Sequence, residues 1–263
     1  MMKKKKNVIQ AVVLATLLLC MSAGCGKNEQ ESSTEQESEE KEVSAAIRDE
    51  TGIVNETAED EKVDFEILKE ENPDIFAWLY IPDTKVDCPV LQNTEEDEFY
   101  KEHDAYGRES AYGAAYIEIA NLSSMCDFNT VIHLGKETDK AEEFADLYRF
   151  ADPQFFEEHE RFYLYMDGNV LTYEIFAAYE RENMSLIRSY DFTYLAGCQR
   201  FLNDMYGTRD LSMNLREGWD GISPYHFLVT LTAQENDDAD KQFVVIGILI
   251  QDEAGKIDRT TME

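Results

Sequence analysis

The sequence predicts a mainly β domain, organised as a barrel or a sandwich. Three observations carry this: eight short strand-like segments, turn signals between several of them, and few helical stretches. Val63, Ile67 and Leu68 keep helical spacing as far as "ENPD", where Pro73 ends a first helix and biases Asn72 away from the α region. Strand-like runs follow at "WLYI" (78–81), "KVDCPVLQ" (85–92), "GAAYIEIA" (113–120) and "NTVIHL" (129–134). A helical stretch, "AEEFADLYRFADPQFFEEHE", then precedes "RFYLYM" (161–166) and "VLTYEIFAAYE" (170–180). These two runs form a hairpin, because Asp167-Gly168 sits between alternating segments. A longer helix, "DFTYLAGCQRFLNDMYG", places Leu195, Cys198, Leu202 and Met205 on one face, which makes Cys198 a core residue. The last two strands are "FLVTLTA" (227–233) and "FVVIGILI" (243–250), with no internal repeat anywhere.

Composition bounds the function. The 263 residues include 14 Tyr and 14 Phe and are 43% hydrophobic, enough to build one sizeable core. With 55 acids against 24 bases and a formal charge of -31, nucleic acid is excluded as a partner, because phosphate binding needs clustered Lys and Arg.

The ends have different characters. Residues 1–24 read as an export signal: "MMKKKKN" is a positive leader, and an apolar run broken by Gln10 leads into Ser22, Ala23 and Gly24 before Cys25. The run is short of the about 20 apolar residues a membrane span requires. Small residues directly before a Cys resemble a bacterial lipobox, although Ser22 stands where Leu is usual; the resemblance implies lipid attachment at Cys25, whereas Cys20 is apolar filler. The expected location is therefore extracytoplasmic, lipid-anchored on the outer face of the cell membrane. Residues 25–62 form an acidic tether, rich in Glu, Ser and Thr and without aromatics. The folded domain is expected over 63–253, with a polar tail at 254–263.

Five segments in order resemble the class B sortases: "NPDIFAWLYIPDTKVDCPVLQ", "FYKEHDAYGRESAYGAAYIE", "NTVIHLGK", "FADPQFFEEHERFYLYMDGNVLTYEIFAAYE" and "LVTLTAQENDDADKQFVVIG". The resemblance covers roughly residues 64 to 252. It implies an eight-stranded sortase-type β-barrel with an N-terminal helix and a long helix before strand seven. It also implies transpeptidation of sorting-signal peptides by a Cys ending strand seven, a His after strand four and an Arg on strand eight. Those residues supply a thiolate nucleophile, a proton donor for the leaving amine and a donor for the oxyanion.

This chain departs from that pattern at every position. Ala233 falls where the family has its Cys, and Gln242 where it has its Arg, after Lys241. Gly135 falls on the His, or Lys136 if a one-residue length difference is placed earlier. A methyl group forms no acyl-enzyme, and a Gln amide donates a weaker, neutral hydrogen bond than a guanidinium. His133 should face the same way as Gly135, two residues on, and Thr232 should face away from Ala233. Thr230 and Lys241 complete the candidate groove residues.

Other chemistry finds little support. Cys88 reads as packing and Cys126 as a loop thiol, with a Cys88–Cys126 disulfide permitted by an exported location. His103, His159 and His226 lack metal-ligand spacing, and "QENDDADK" lacks the Gly and terminal Glu of an EF-hand; neither a metal nor a cofactor is expected. Glu235, Asp237, Asp238 and Asp240 would line the rim of the site as a solvated acidic loop. Two function classes stand beside one another: an inactive sortase-like protein that binds a sorting-signal peptide, a pilin or a peptidoglycan-linked partner, and a cysteine transpeptidase with rearranged residues. A third places the work on the outer surface, as a scaffold.

Overall fold

The computed structural model describes residues 63–135, 145–208, 212–234 and 240–257, all within the unit Ile47–Glu263. The leader, Cys25, the tether, Lys136, the loop acids Glu235, Asp237 and Asp238, and the tail beyond Ile257 lie outside the described residues.

Helix α1 (Phe65–Glu71) is short, and two forces hold it. The Asp64 carboxylate accepts from the amides of Glu66 and Ile67 at 3.0 and 3.2 Å, satisfying two of the orphan donors of the first turn. Phe65 and Leu68 bury against Ile75, Trp78 and Leu91. Ile67, expected on the buried face, is instead 51% exposed, and Phe65 takes its place.

Nine strands follow among the described residues: β1 (Ile75–Tyr80), β2 (Asp87–Leu91), β3 (Ala115–Ile117), β4 (Asn129–His133), β5 (Arg161–Met166), β6 (Asn169–Glu182), β7 (Asn214–Leu215), β8 (Leu228–Gln234) and β9 (Lys241–Asp252). The sheet order β5-β1-β2-β3-β4-β8-β9-β6 is closed by a β5–β6 pairing, giving an eight-stranded barrel; β7 adds two residues to the outside of β6. The expected seventh and eighth strands are therefore β8 and β9. Pairing is mixed: β2–β3 and β4–β8 are parallel and the remaining ladders antiparallel. Two register shifts in the β6–β9 ladder bend the longest strand pair around the barrel. The β5–β6 turn is the Asp167-Gly168 hairpin read from sequence, with Gly168 at φ 65°.

Alternation explains the strand sequences. Val229, Leu231 and Ala233 of β8 and Phe243 and Val245 of β9 point into the barrel, where they meet Leu79, Ile132, Leu164 and Leu171. The opposite face of β9, at Val244, Ile246 and Ile248, is also buried, under helix α4 (Leu195–Gly207). Two buried faces make "FVVIGILI" continuously apolar. Each such aliphatic side chain contributes about 1.5–3 kcal/mol on burial. On α4 the buried stripe is Cys198, Phe201, Leu202 and Met205, while Leu195 is 55% exposed, a correction to the expected stripe. Helix α2 (Pro153–Glu158) is capped by Asp152, and α3 (Leu186–Ser189) by Ser185.

Candidate functional site

The outer face of β4 and β8 is covered by α4 only toward the strands' starts, where Phe128, Val131 and Leu228 are buried. At the strands' C-terminal ends the same face opens into a groove of about 300 Å³, lined among others by Tyr116, Glu118, His133, Thr232, Gln234 and Gln242. Arg188, Lys101 and Glu98 form its charged side, with Glu98 accepting from Lys101 Nζ at 3.1 Å and from Arg188 Nη2 at 3.3 Å.

Register places the central residues side by side. Tyr116 pairs with His133 across β3–β4, and His133 pairs with Thr232 across the parallel β4–β8 ladder, so the three form a row on one face. Glu118, two residues beyond Tyr116, returns to that face. His133 Nδ1 lies 3.1 Å from Thr232 Oγ1, and Nε2 lies 3.0 Å from Glu118 Oε1. Glu118 is only 4% exposed and also accepts from Ser185 Oγ at 3.4 Å. The hydrogen bond from His133 is the largest influence on Glu118, and with the neighbouring charges it outweighs burial and holds the carboxyl below its ordinary value. An ionised carboxylate only accepts, so Nε2 is the nitrogen that carries a proton toward Glu118, and whenever the imidazole is uncharged Nδ1 is left as an acceptor facing the Thr232 hydroxyl. The His133 ring lies 5.0 Å from that of Tyr116, whose hydroxyl burial pushes well above the usual phenol range.

The expected site residues divide sharply. His133, Thr232, Gly135 and Gln242 line the groove. Ala233 does not: its methyl turns into the barrel core at 2% exposure, so the groove-facing position at the end of β8 is Gln234, directly opposite Gln242. A nucleophile placed there would have to stand at 234 rather than 233 to meet a ligand. Thr230 is also corrected, since it is fully buried below the groove and donates to Asn129 Oδ1 at 2.9 Å. Lys241 is not among the groove's lining residues and pairs with Glu180. Gln242 has both amide hydrogens engaged, donating to the carbonyls of Glu182 at 3.2 Å and Met184 at 3.0 Å. It pins the loop before α3 rather than offering a donor to a ligand.

The thiols among the described residues are elsewhere. Cys88 is buried in the barrel core, Cys126 is half-buried with its Sγ 3.5 Å from the Ser124 carbonyl, and Cys198 lies on the buried face of α4; Cys88 and Cys126 are not bridged. None of the described groove-lining residues is a cysteine, and the stretches 136–144 and 235–239, outside the described residues, contain none in sequence. His103 and His159 are held by local backbone carbonyls, and His226 by Ser223. Sequence reasoning missed Glu118; the signal was an acid inside the strand-like run "AYIEIA".

No family model matches the chain. It is 32% identical to sortase B of Listeria monocytogenes over 130 residues, which is 49% of this chain, and it spans about half (51%) of that relative's length. Among solved structures, sortase B of Clostridium perfringens aligns over 72% of this chain and 100% of its own at 25% identity, with a TM-score of 0.62. A sortase B–substrate complex of Staphylococcus aureus aligns over 71% and 84% at 23% identity, with a TM-score of 0.61. The closed mixed barrel is that of these enzymes. The chain is a sortase-fold protein, homologous to the class B sortases.

Proposed function

We propose that this protein binds an extended peptide of the sorting-signal kind in the groove above β4 and β8 and does not carry out cysteine transpeptidation. The observation that carries the reading is the groove's composition: Gln234 and Gln242 face each other where strands β8 and β9 meet it, and no thiol lies among its described lining residues. Loss of a nucleophile alone costs on the order of 10⁶ in rate in a well-studied hydrolase. The oxyanion position is weakened as well, because the Gln242 amide is already committed to Glu182 and Met184. The groove, with Gln234 and the Glu98–Arg188 pair, still offers polar atoms to a peptide backbone.

The same proposal places the domain on the outer face of the membrane, held by a lipid on Cys25 through the acidic tether. Envelope proteins, including pilins and peptidoglycan-linked proteins, are the partner class this position brings within reach. A cysteine transpeptidase with rearranged residues has no comparable support, since the partners of His133 are Thr232 and Glu118.

Fluorescence anisotropy of labelled sorting-signal-type peptides against the full-length protein in detergent tests the reading. Saturable binding that Gln234→Arg weakens by on the order of tenfold or more, about 1.4 kcal/mol, is the expected result. Binding indifferent to Gln234→Arg would move the contact to the outer surface and overturn the groove as the site.

A further inference from the structure

The row Thr232–His133–Glu118 joins a hydroxyl, an imidazole and a buried carboxylate in series at the floor of the groove, at 3.1 and 3.0 Å. We propose that Thr232 is a nucleophile that accepts an acyl group from an ester-type donor in the groove, with His133 as general base and Glu118 as the positioning residue. The inference rests on the groove being open to ligands but not on peptide being its occupant.

Three observations carry it. The parallel register, rather than a flexible loop, sets His133 beside Thr232, so the pair sits on two hydrogen-bonded strands inside the barrel sheet. Glu118 has its Oε1 committed to His133 and Ser185, at 4% exposure, which holds one imidazole tautomer with Nδ1 aimed at the hydroxyl. Tyr116 stacks on the other side of the ring and limits its rotation. A hydroxyl with a base, and a base with an orienting carboxylate, is the arrangement that activates an otherwise weak oxygen nucleophile.

The step balances without a co-reactant beyond water. Thr232 Oγ1 forms a bond to the donor's carbonyl carbon while its proton passes to His133 Nδ1. The carbon–alkoxide bond breaks, and the alkoxide leaves as an alcohol with the proton from Nδ1. Water then repeats the sequence on the threonyl ester, releasing a carboxylic acid and restoring the hydroxyl. Gln242 is occupied with the Glu182–Met184 loop, and the proposal assigns the oxyanion to the neutral amide of Gln234, which lines the groove two residues beyond Thr232 on the same strand. That donor set suits esters, whose leaving group needs little help, and not peptide amides.

The test uses the full-length protein in detergent with a fluorophosphonate probe, which forms the same Oγ1 bond at phosphorus with loss of fluoride. Intact mass and peptide mapping should show one adduct per chain on Thr232, retained in Thr232→Ser. The adduct should be absent in the near-isosteric Thr232→Val, and its rate should fall on the order of 10²-fold in His133→Gln. Hydrolysis of p-nitrophenyl butyrate should fall in the same order. In Glu118→Gln the imidazole nitrogen-15 spectrum should change from a single Nε2–H tautomer to a mixture, which a merely structural carboxylate would not cause. No adduct in the wild type, or one that persists in Thr232→Val, overturns the proposal. Peptide anisotropy on the same samples separates the two readings: intact peptide binding without an adduct removes the acyl transfer alone, and an adduct without peptide binding removes the peptide ligand alone.

Discussion

At the scale of single residues, the decisive facts are which way side chains point. Ala233 and Thr232 are neighbours in sequence, yet one fills the barrel and the other lines the groove. A strand reverses its face at each step, so an assignment that is one residue off exchanges a core position for a site position. Glu118 shows the electrostatic side of the same geometry. Its carboxyl is held low chiefly by the His133 hydrogen bond. A folded-state value below the unfolded one means the carboxylate stabilises the fold fully above the unfolded value of about 4.3, and the contribution is lost as pH falls through the folded value. Denaturant midpoints against pH should therefore show Glu118→Gln less stable at neutral pH and the two curves converging in acid; parallel curves would contradict this. Gly247 is a second residue whose role is spatial. A Cβ there would meet the Phe162 ring, 2.7 Å from Cζ, and that ring is fully buried and stacked on Tyr173 at 5.0 Å. Gly247→Ala should lower stability by about 1–3 kcal/mol in chemical unfolding, as overpacked cores do.

At the scale of elements, the segment between β6 and α3 forms one wall of the groove, and side chains from the sheet hold it. Gln242 donates to Glu182 and Met184, Arg181 Nη1 donates to Met184 at 3.0 Å, and Ser185 both caps α3 and donates to Glu118. Replacing Gln242 by Leu leaves the Glu182 carbonyl without that donor and should cost about 1–2 kcal/mol. Hydrogen exchange should accelerate over residues 183–190 while the barrel strands keep their protection. Unchanged exchange there would show that the wall is held by other means. Much at this scale was legible in the sequence. The eight barrel strands, the Asp167-Gly168 hairpin and the long helix before the seventh barrel strand follow from alternation, turn residues and helical spacing, all of which are local. Ile67 and Leu195 were misplaced because helical spacing near a terminus does not say which face tertiary packing will cover.

At the scale of the whole molecule, the site was legible only in part, because it is assembled by non-local pairing. His133 and Thr232 stand 99 residues apart in sequence, and only the parallel β4–β8 register brings them together. The resemblance to class B sortases pointed to the strand ends that border the groove but not to Glu118, whose partner is defined by that register. The proposed anchoring is tested separately from the groove. Intact mass of protein extracted from membranes should show a diacylglyceryl group on the wild type and none on Cys25→Ala; a wild type without lipid mass would contradict the proposed attachment. The central claim is a sortase-fold groove that binds peptide without thiol chemistry. Native mass spectrometry of the full-length protein in detergent, with a sorting-signal-type peptide and an oligoglycine amine, tests it in one spectrum. The account predicts a one-to-one noncovalent complex with the peptide recovered intact. A peptide–oligoglycine product that disappears when Cys88, Cys126 and Cys198 are replaced would contradict it.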